Sequence, residues 1–108
     1  MSILDMNAET YKKLISESDK PVLVEFSAPW CVYCRRIAPA LKKLSEQQEG
    51  NLVVGQVNID EEPALAQRER IEVIPTMILY QNGEALGSIV APESKARIEE
   101  FISETLGE

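Results

Sequence analysis

Apolar and polar positions along this chain repeat at two different periods, and the period switches several times. From Asn7 to about Ser16 the apolar residues Tyr11, Leu14 and Ile15 recur three to four positions apart. That spacing predicts an amphipathic helix with Asn7 as its N-cap. Val22-Leu23-Val24-Glu25-Phe26-Ser27 is a short, almost continuously apolar run led in by Pro21, and it reads as a strand. The helical period returns from Val32 to about Glu46, with Ile37, Leu41 and Leu44 at the apolar spacing. Leu52 to Val57 is a second strand. Pro63 opens a short helix through about Glu69, at a first-turn position where its missing N–H costs nothing. Thr76-Met77-Ile78-Leu79-Tyr80 is a third strand. Asn82-Gly83 then gives a strong hairpin signal, and Ala85 to Val90 returns antiparallel. A last helix from about Glu93 turns Ile98, Phe101, Ile102 and Leu106 inward.

This order has consequences for topology. Strand, helix and strand in the first half require parallel strands with a crossover helix, whereas the second half is a hairpin followed by a helix. Together they predict an α/β fold: a small mixed sheet with helices on both faces. No repeat, linker or low-complexity tract interrupts the chain. Its 108 residues are expected to form a single domain over 1–108.

Composition narrows the function more than the fold. With 44% apolar and 27% charged residues, the chain can close a core without a metal or a disulfide scaffold. Its longest apolar runs are only a few residues. The N-terminus lacks the basic-then-apolar order of a signal peptide, so the expected location is the cytoplasm. A net charge of −7 disfavours nucleic acid and anionic membrane as partners, since both need a positive footprint. The absence of histidine removes Cys-His and Ser-His-Asp nucleophile systems and most zinc sites. No cofactor and no metal are expected, and a monomer is.

The two cysteines, Cys31 and Cys34, stand three positions apart. They admit three readings: two small buried apolar residues, half of a metal site shared by a dimer, or a redox pair. The third has a specific chemical basis. Disulfide exchange begins with a thiolate, and a free cysteine near its reference pKa of ~8.5 is only a few per cent ionised at neutral pH. Cys31 lies where the helix from Val32 begins, and the unpaired N–H groups of a helix start favour an anion. Cys31 is therefore expected to face solvent and attack. Cys34, on the first turn and more buried, is expected to resolve the mixed disulfide.

Four neighbours bear on this pair. Arg35 stands four residues after Cys31 and either adds positive potential or is simply solvated, as Arg36 is expected to be. Pro39 sits inside the helix, removes an N–H and predicts a kink. Glu25 lies in an apolar strand covered on both faces. It either reaches solvent at the strand end or is buried, in which case its pKa rises and it can exchange a proton with Cys34 through a water.

From Tyr11 to Leu106 the chain resembles the thioredoxin family. The resemblance rests on Val22-Leu23-Val24-Glu25-Phe26, Ala28-Pro29-Trp30-Cys31-x-x-Cys34-Arg35, Ile37-Ala38-Pro39, Val57-Asn58-Ile59-Asp60, Ile74-Pro75-Thr76 and Asn82-Gly83-Glu84, in that order and spacing. It implies a thioredoxin fold with a four- or five-stranded mixed sheet. It also implies protein-disulfide reduction through Cys31 and Cys34, with re-reduction by a thioredoxin-reductase-type partner. By the same resemblance Pro75 is the cis proline facing the cysteines, and the backbone of Ile74 pairs with an extended substrate segment. Trp30 borders the nucleophile, Val32 and Tyr33 complete the substrate-facing loop, and Glu25 matches the family's buried acid.

The departures from the family pattern are local. Val32-Tyr33 replaces the usual Gly-Pro, which alters the stiffness of the turn and the solvation of the thiolate. For a two-electron couple, 30 mV corresponds to about 1.4 kcal/mol. Tyr33 is similar to a glutaredoxin residue, which keeps a glutathione-coupled oxidoreductase as an alternative. A thioredoxin-fold adaptor with incidental thiols is another. Gln56 stands where a lysine often partners the buried acid, so the pKa of Glu25 is expected to be higher still unless it reaches water. Ala91-Pro92 replaces a glycine-containing stretch beside the substrate groove.

Overall fold

The elements of the chain build a twisted sheet with two helices on each face. The computed structural model describes residues 3–108. In chain order the elements are β1 (Ile3–Asp5), α1 (Ala8–Glu17), β2 (Val22–Ser27), α2 (Val32–Gln47), β3 (Val53–Asn58), α3 (Pro63–Arg68), β4 (Thr76–Gln81), β5 (Glu84–Val90) and α4 (Lys95–Leu106). The strand order is β1-β3-β2-β4-β5. β3 runs parallel to both β1 and β2, and β4 runs antiparallel to β2 and β5. This is the mixed α/β sheet that the order of periods requires, in the five-stranded form.

Local chemistry explains the boundaries. Asn7 caps α1 through a reciprocal pair: its Oδ1 accepts from Thr10 N at 2.9 Å, and its own N–H donates to Thr10 Oγ1 at 2.9 Å. Asn82 and Gly83 turn β4 into β5 with φ of 54° and 83°, the two positive values that a tight hairpin of this hand needs. The last helix starts later than the apolar pattern predicts. Ala91 has φ of 46° and breaks the chain direction, and the helix begins at Lys95, where Ser94 Oγ accepts from Arg97 N at 3.1 Å.

Strand β1 is the element that the periodicity does not announce. It is three residues long, half exposed, and held by its pairing to the edge of β3. Just beyond it, Met6 swings its side chain into the space that Gly55 leaves by having no Cβ, so the close approach requires glycine there.

Alternation along β2 divides the core. Val22, Val24 and Phe26 pack with Tyr11, Leu65, Ile78 and Tyr80 under α1 and α3. Leu23 packs with Ile37, Leu41, Leu44, Met77, Leu79, Ile98 and Phe101 under α2 and α4. Buried hydroxyls on the first face satisfy one another: Tyr11 and Tyr80 share a hydrogen bond, and the Tyr80 hydroxyl donates to Glu69 Oε1 at 3.3 Å. Glu25 points to the second face, beneath the start of α2, so the sheet itself delivers a carboxyl to the region of the cysteines.

Candidate active site

The turn from Ala28 to Cys34 carries the chain from β2 into α2. Cys31 N–H donates to Ala28 O at 3.1 Å and closes the turn, and Arg35 N–H donates to Cys31 O at 3.1 Å as the first helical bond. Cys31 is thus the N-cap of α2. Its Sγ accepts from the backbone N–H of Cys34 at 3.2 Å, and its thiol donates to Ile74 O at 3.7 Å. A negative sulfur in that place faces an N–H and the positive end of a sixteen-residue helix.

The sulfur environments correct one expectation. Cys31 does not stand out in solvent while Cys34 hides; they are 5% and 6% exposed. Ala28 packs with the pair, and Ile59 and Ile74 lie against it from two other loops. The asymmetry lies instead in what surrounds each sulfur. Burial pushes the Cys34 thiol up to about 12, helped by its hydrogen bond to Cys31 and by the nearby negative charges of Cys31 and Glu25. Cys34 is therefore held as the neutral thiol in the resting dithiol. Both cysteines are free thiols.

Glu25 takes the buried alternative, at 1% exposure. Gln56, its register partner on β3, donates from Nε2 to Glu25 Oε1 at 2.9 Å, while Oε2 is buried with no hydrogen-bond partner among the described residues. Burial raises the pKa of Glu25 to about 7, and the Gln56 bond offsets only part of that rise. The carboxyl thus titrates near neutrality and lies close enough to Cys34 for its charge to affect that thiol.

The rim is apolar. Trp30, Val32 and Tyr33 are exposed, and Val73 and Val90 are exposed beside the Ile74–Pro75 bond, which is cis. Ile74 itself is half-buried and Pro75 buried. Ala91 N–H donates to Pro75 O at 2.8 Å, tying the chain after β5 to the proline loop. Arg36 places its guanidinium 5.5 Å from the centre of the Tyr33 ring. A recess of about 470 Å³ opens between Tyr33, Arg36 and Ile37 on one side and Ala91, Pro92 and Glu93 on the other. Arg35 does not reach the sulfur by a hydrogen bond; its guanidinium donates to Pro29 O at 3.4 Å. Helix α2 runs through Pro39, which is exposed.

One contributor escapes sequence reasoning. Asp60 Oδ2 accepts from the Trp30 indole N–H at 2.8 Å, and Asn58 Oδ1 in turn holds Asp60 N at 2.8 Å. The Val57-Asn58-Ile59-Asp60 motif marks the segment but not this contact, which depends on the β3–α3 loop reaching the β2–α2 loop. Among the described residues no group of three or more His, Cys, Asp or Glu is gathered that could hold a metal ion, and no helix is long and apolar enough to cross a membrane.

A dithiol at a helix start, one sulfur accepting the N–H of the first turn and the other held neutral, beside a cis-proline loop, defines a thiol–disulfide oxidoreductase. The thioredoxin family model matches residues 2–104. The chain is 36% identical over 104 residues to a chloroplastic M-type thioredoxin of Spinacia oleracea, covering 96% of this chain and 58% of that protein. It is 36% identical over 97 residues to thioredoxin 1 of Nostoc, covering 90% of this chain and 91% of that one. A thioredoxin of Buchnera aphidicola is 36% identical over 101 residues, at 94% and 93% coverage. The chain belongs to the thioredoxin family.

Proposed function

We propose that the protein reduces disulfides in other proteins, with Cys31 as nucleophile and Cys34 as resolving thiol. The observation that carries the reading is the contrast between the surroundings of the two sulfurs: Cys31 Sγ accepts the helix-start N–H of Cys34, and the Cys34 thiol is pushed up to about 12. Cys31 Sγ attacks one substrate sulfur and expels the other as a thiolate, which is protonated. Cys34 then attacks Cys31 Sγ, forming the Cys31–Cys34 disulfide and releasing the second substrate thiol. Glu25 accepts the Cys34 proton through a water. Trp30, Val32, Tyr33, Ile74 and Pro75 form the substrate face, with the backbone of Ile74 pairing with an extended segment. A thioredoxin-reductase-type partner restores the dithiol, and the protein works as a cytoplasmic monomer.

Val32-Tyr33 makes the driving force the property to measure. Equilibrating the Cys31–Cys34 couple with a redox buffer is expected to give a potential of about −230 to −270 mV. Insulin reduction is expected to be supported by a thioredoxin reductase and not by glutathione alone. A potential near −180 mV, about that of an isomerase, contradicts the reductant assignment. Turnover with glutathione alone establishes the glutathione-coupled alternative.

A further inference from the structure

Helix α2 concentrates positive charge in an otherwise acidic molecule. The chain has 18 acidic and 11 basic residues, a net charge of −7. No acidic residue occurs between Glu25 and Glu46, whereas Arg35, Arg36, Lys42 and Lys43 all lie on the exposed side of α2. The ion pairs among the described residues engage Arg68, Lys95 and Arg97 and none of these four. Unpaired cations thus begin within two turns of the nucleophile.

Arg36 differs from the other three in what holds it. Its guanidinium lies 5.5 Å from the centre of the Tyr33 ring. Contact with a ring face fixes the group and leaves its N–H edge free, and that edge is the fork that suits a carboxylate. Tyr33 and Arg36 stand on one side of the recess of about 470 Å³, opposite Ala91, Pro92 and Glu93. Ile37 and Pro92 are buried there and supply apolar surface, along which an aliphatic stem can lie while its polar end reaches the rim. Glu93, exposed on the far side, is the only carboxylate of the described residues that lines this recess. Asp60, Glu61 and Glu62 do not line it, and Asp60 is engaged by the Trp30 indole.

We propose that Arg36, stacked on Tyr33, is a specificity-determining residue: it draws an acidic side chain of the substrate to this recess, so that the protein favours disulfides whose cysteine has a glutamate or aspartate near it in the chain. The inference rests on the proposed reduction of protein disulfides and adds the class of substrate to it. The net charge opposes this preference, because a molecule at −7 repels an acidic partner and attracts a basic one. The order of preference therefore shows whether the local cation or the charge of the whole molecule governs selection.

The test uses short peptides held as symmetric disulfide dimers, identical except for one residue, Glu, Gln or Lys, placed two positions before or two positions after the cysteine. Fully reduced protein is mixed with each peptide, and loss of the peptide disulfide is followed by acid quench and chromatography. Each rate is divided by the rate with dithiothreitol, which removes the peptide's own reactivity. On one of the two sides the Glu peptide is expected to react about fivefold faster than the Gln peptide at about 20 mM salt, with the Lys peptide slower than both, and the differences are expected to fall below about twofold at about 500 mM. Arg36→Gln is expected to level the Glu:Lys ratio, Arg36→Glu to reverse it, and Glu93→Gln to raise it. Lys42→Gln removes the same charge from the same helix away from the recess, and it is expected to change the ratio by less than about twofold. Each ratio compares peptides on one protein, so a change in folding or in the reactivity of Cys31 cancels. Equal rates for the Glu and Lys peptides on both sides, or a Lys preference in the parent, overturn the inference and leave disulfide reduction standing. A Glu preference that survives Arg36→Gln, or that Lys42→Gln abolishes equally, removes the role from Arg36. If Cys31→Ser reduces the Gln peptide as fast as the parent, the reduction reading falls and the substrate class with it.

Discussion

Replacing Cys31 by serine is expected to reduce insulin reduction to the blank rate, whereas replacing Cys34 by serine is expected to leave the first attack intact and halt the reaction at a mixed disulfide. The distinction follows from where each sulfur sits. Serine at 31 retains the N-cap geometry, because a hydroxyl oxygen accepts from the N–H of Cys34 as the sulfur does. The fold should survive, but an alcohol at neutral pH is not a nucleophile toward a disulfide. Serine at 34 leaves Cys31 facing the same helix start and removes only the group that breaks the mixed disulfide. Covalent complexes with substrate proteins, resolved on a non-reducing gel and lost on adding dithiothreitol, are the expected product. Turnover by the Cys34→Ser variant at the parent rate would remove the resolving role from Cys34.

The second large effect concerns Glu25 and runs in opposite directions for activity and stability. Its pKa rises from 4.5 to about 7 on folding, so the folded state binds the proton more tightly than the unfolded chain. The stabilisation this gives is complete below about pH 4.5 and is lost as pH rises through about 7, a change of roughly 3 kcal/mol across the window. Glu25→Gln does not titrate. It is expected to be more stable than the parent at pH 8, by a melting-temperature gain of about 10 °C, with little gain at pH 4. The same substitution is expected to slow resolution by about 10²-fold while leaving the first attack near normal. Paired melting curves at the two pH values and a single-turnover trace check both halves. Equal stability differences at pH 4 and pH 8 would place Glu25 in contact with water. Unchanged resolution across pH would remove it from the mechanism.

Much of this architecture is legible in residue order because its determinants are local. The all-buried run Val22–Ser27, the Asn7 cap, the spacing of Ile37, Leu41 and Leu44, and the two positive-φ residues Asn82 and Gly83 each specify their element within a few positions. Ile3–Asp5 has no such signal, since a three-residue edge strand owes its existence to β3. The start of α4 shifts because Ser94, itself in extended backbone, caps the helix with its side-chain oxygen.

The site divides along the same line. The Cys31–Cys34 spacing, the helix start and the misfit of Glu25 in its strand are visible in the chain. The burial of Cys31 is not, because the residues that cover it include Ile74, far along the sequence. Residue order points to exposure as the basis for the roles of the two cysteines; in the fold both are buried, and they differ in that burial raises the Cys34 thiol while Cys31 Sγ accepts a helix-start N–H. The Gln56–Glu25 bond and the Asp60–Trp30 bond likewise depend on strand register and loop approach. The residues can be named from sequence, but the contacts require the fold.

Selective alkylation tests the division of labour most directly. Fully reduced protein is treated with substoichiometric iodoacetamide from about pH 6 to pH 9, and the labelled cysteine is identified by peptide mapping, the reactive species being the thiolate. Label confined to Cys31 across this range, with Cys34 modified only after unfolding or at much higher pH, is the predicted result. Label appearing first on Cys34 would contradict the account.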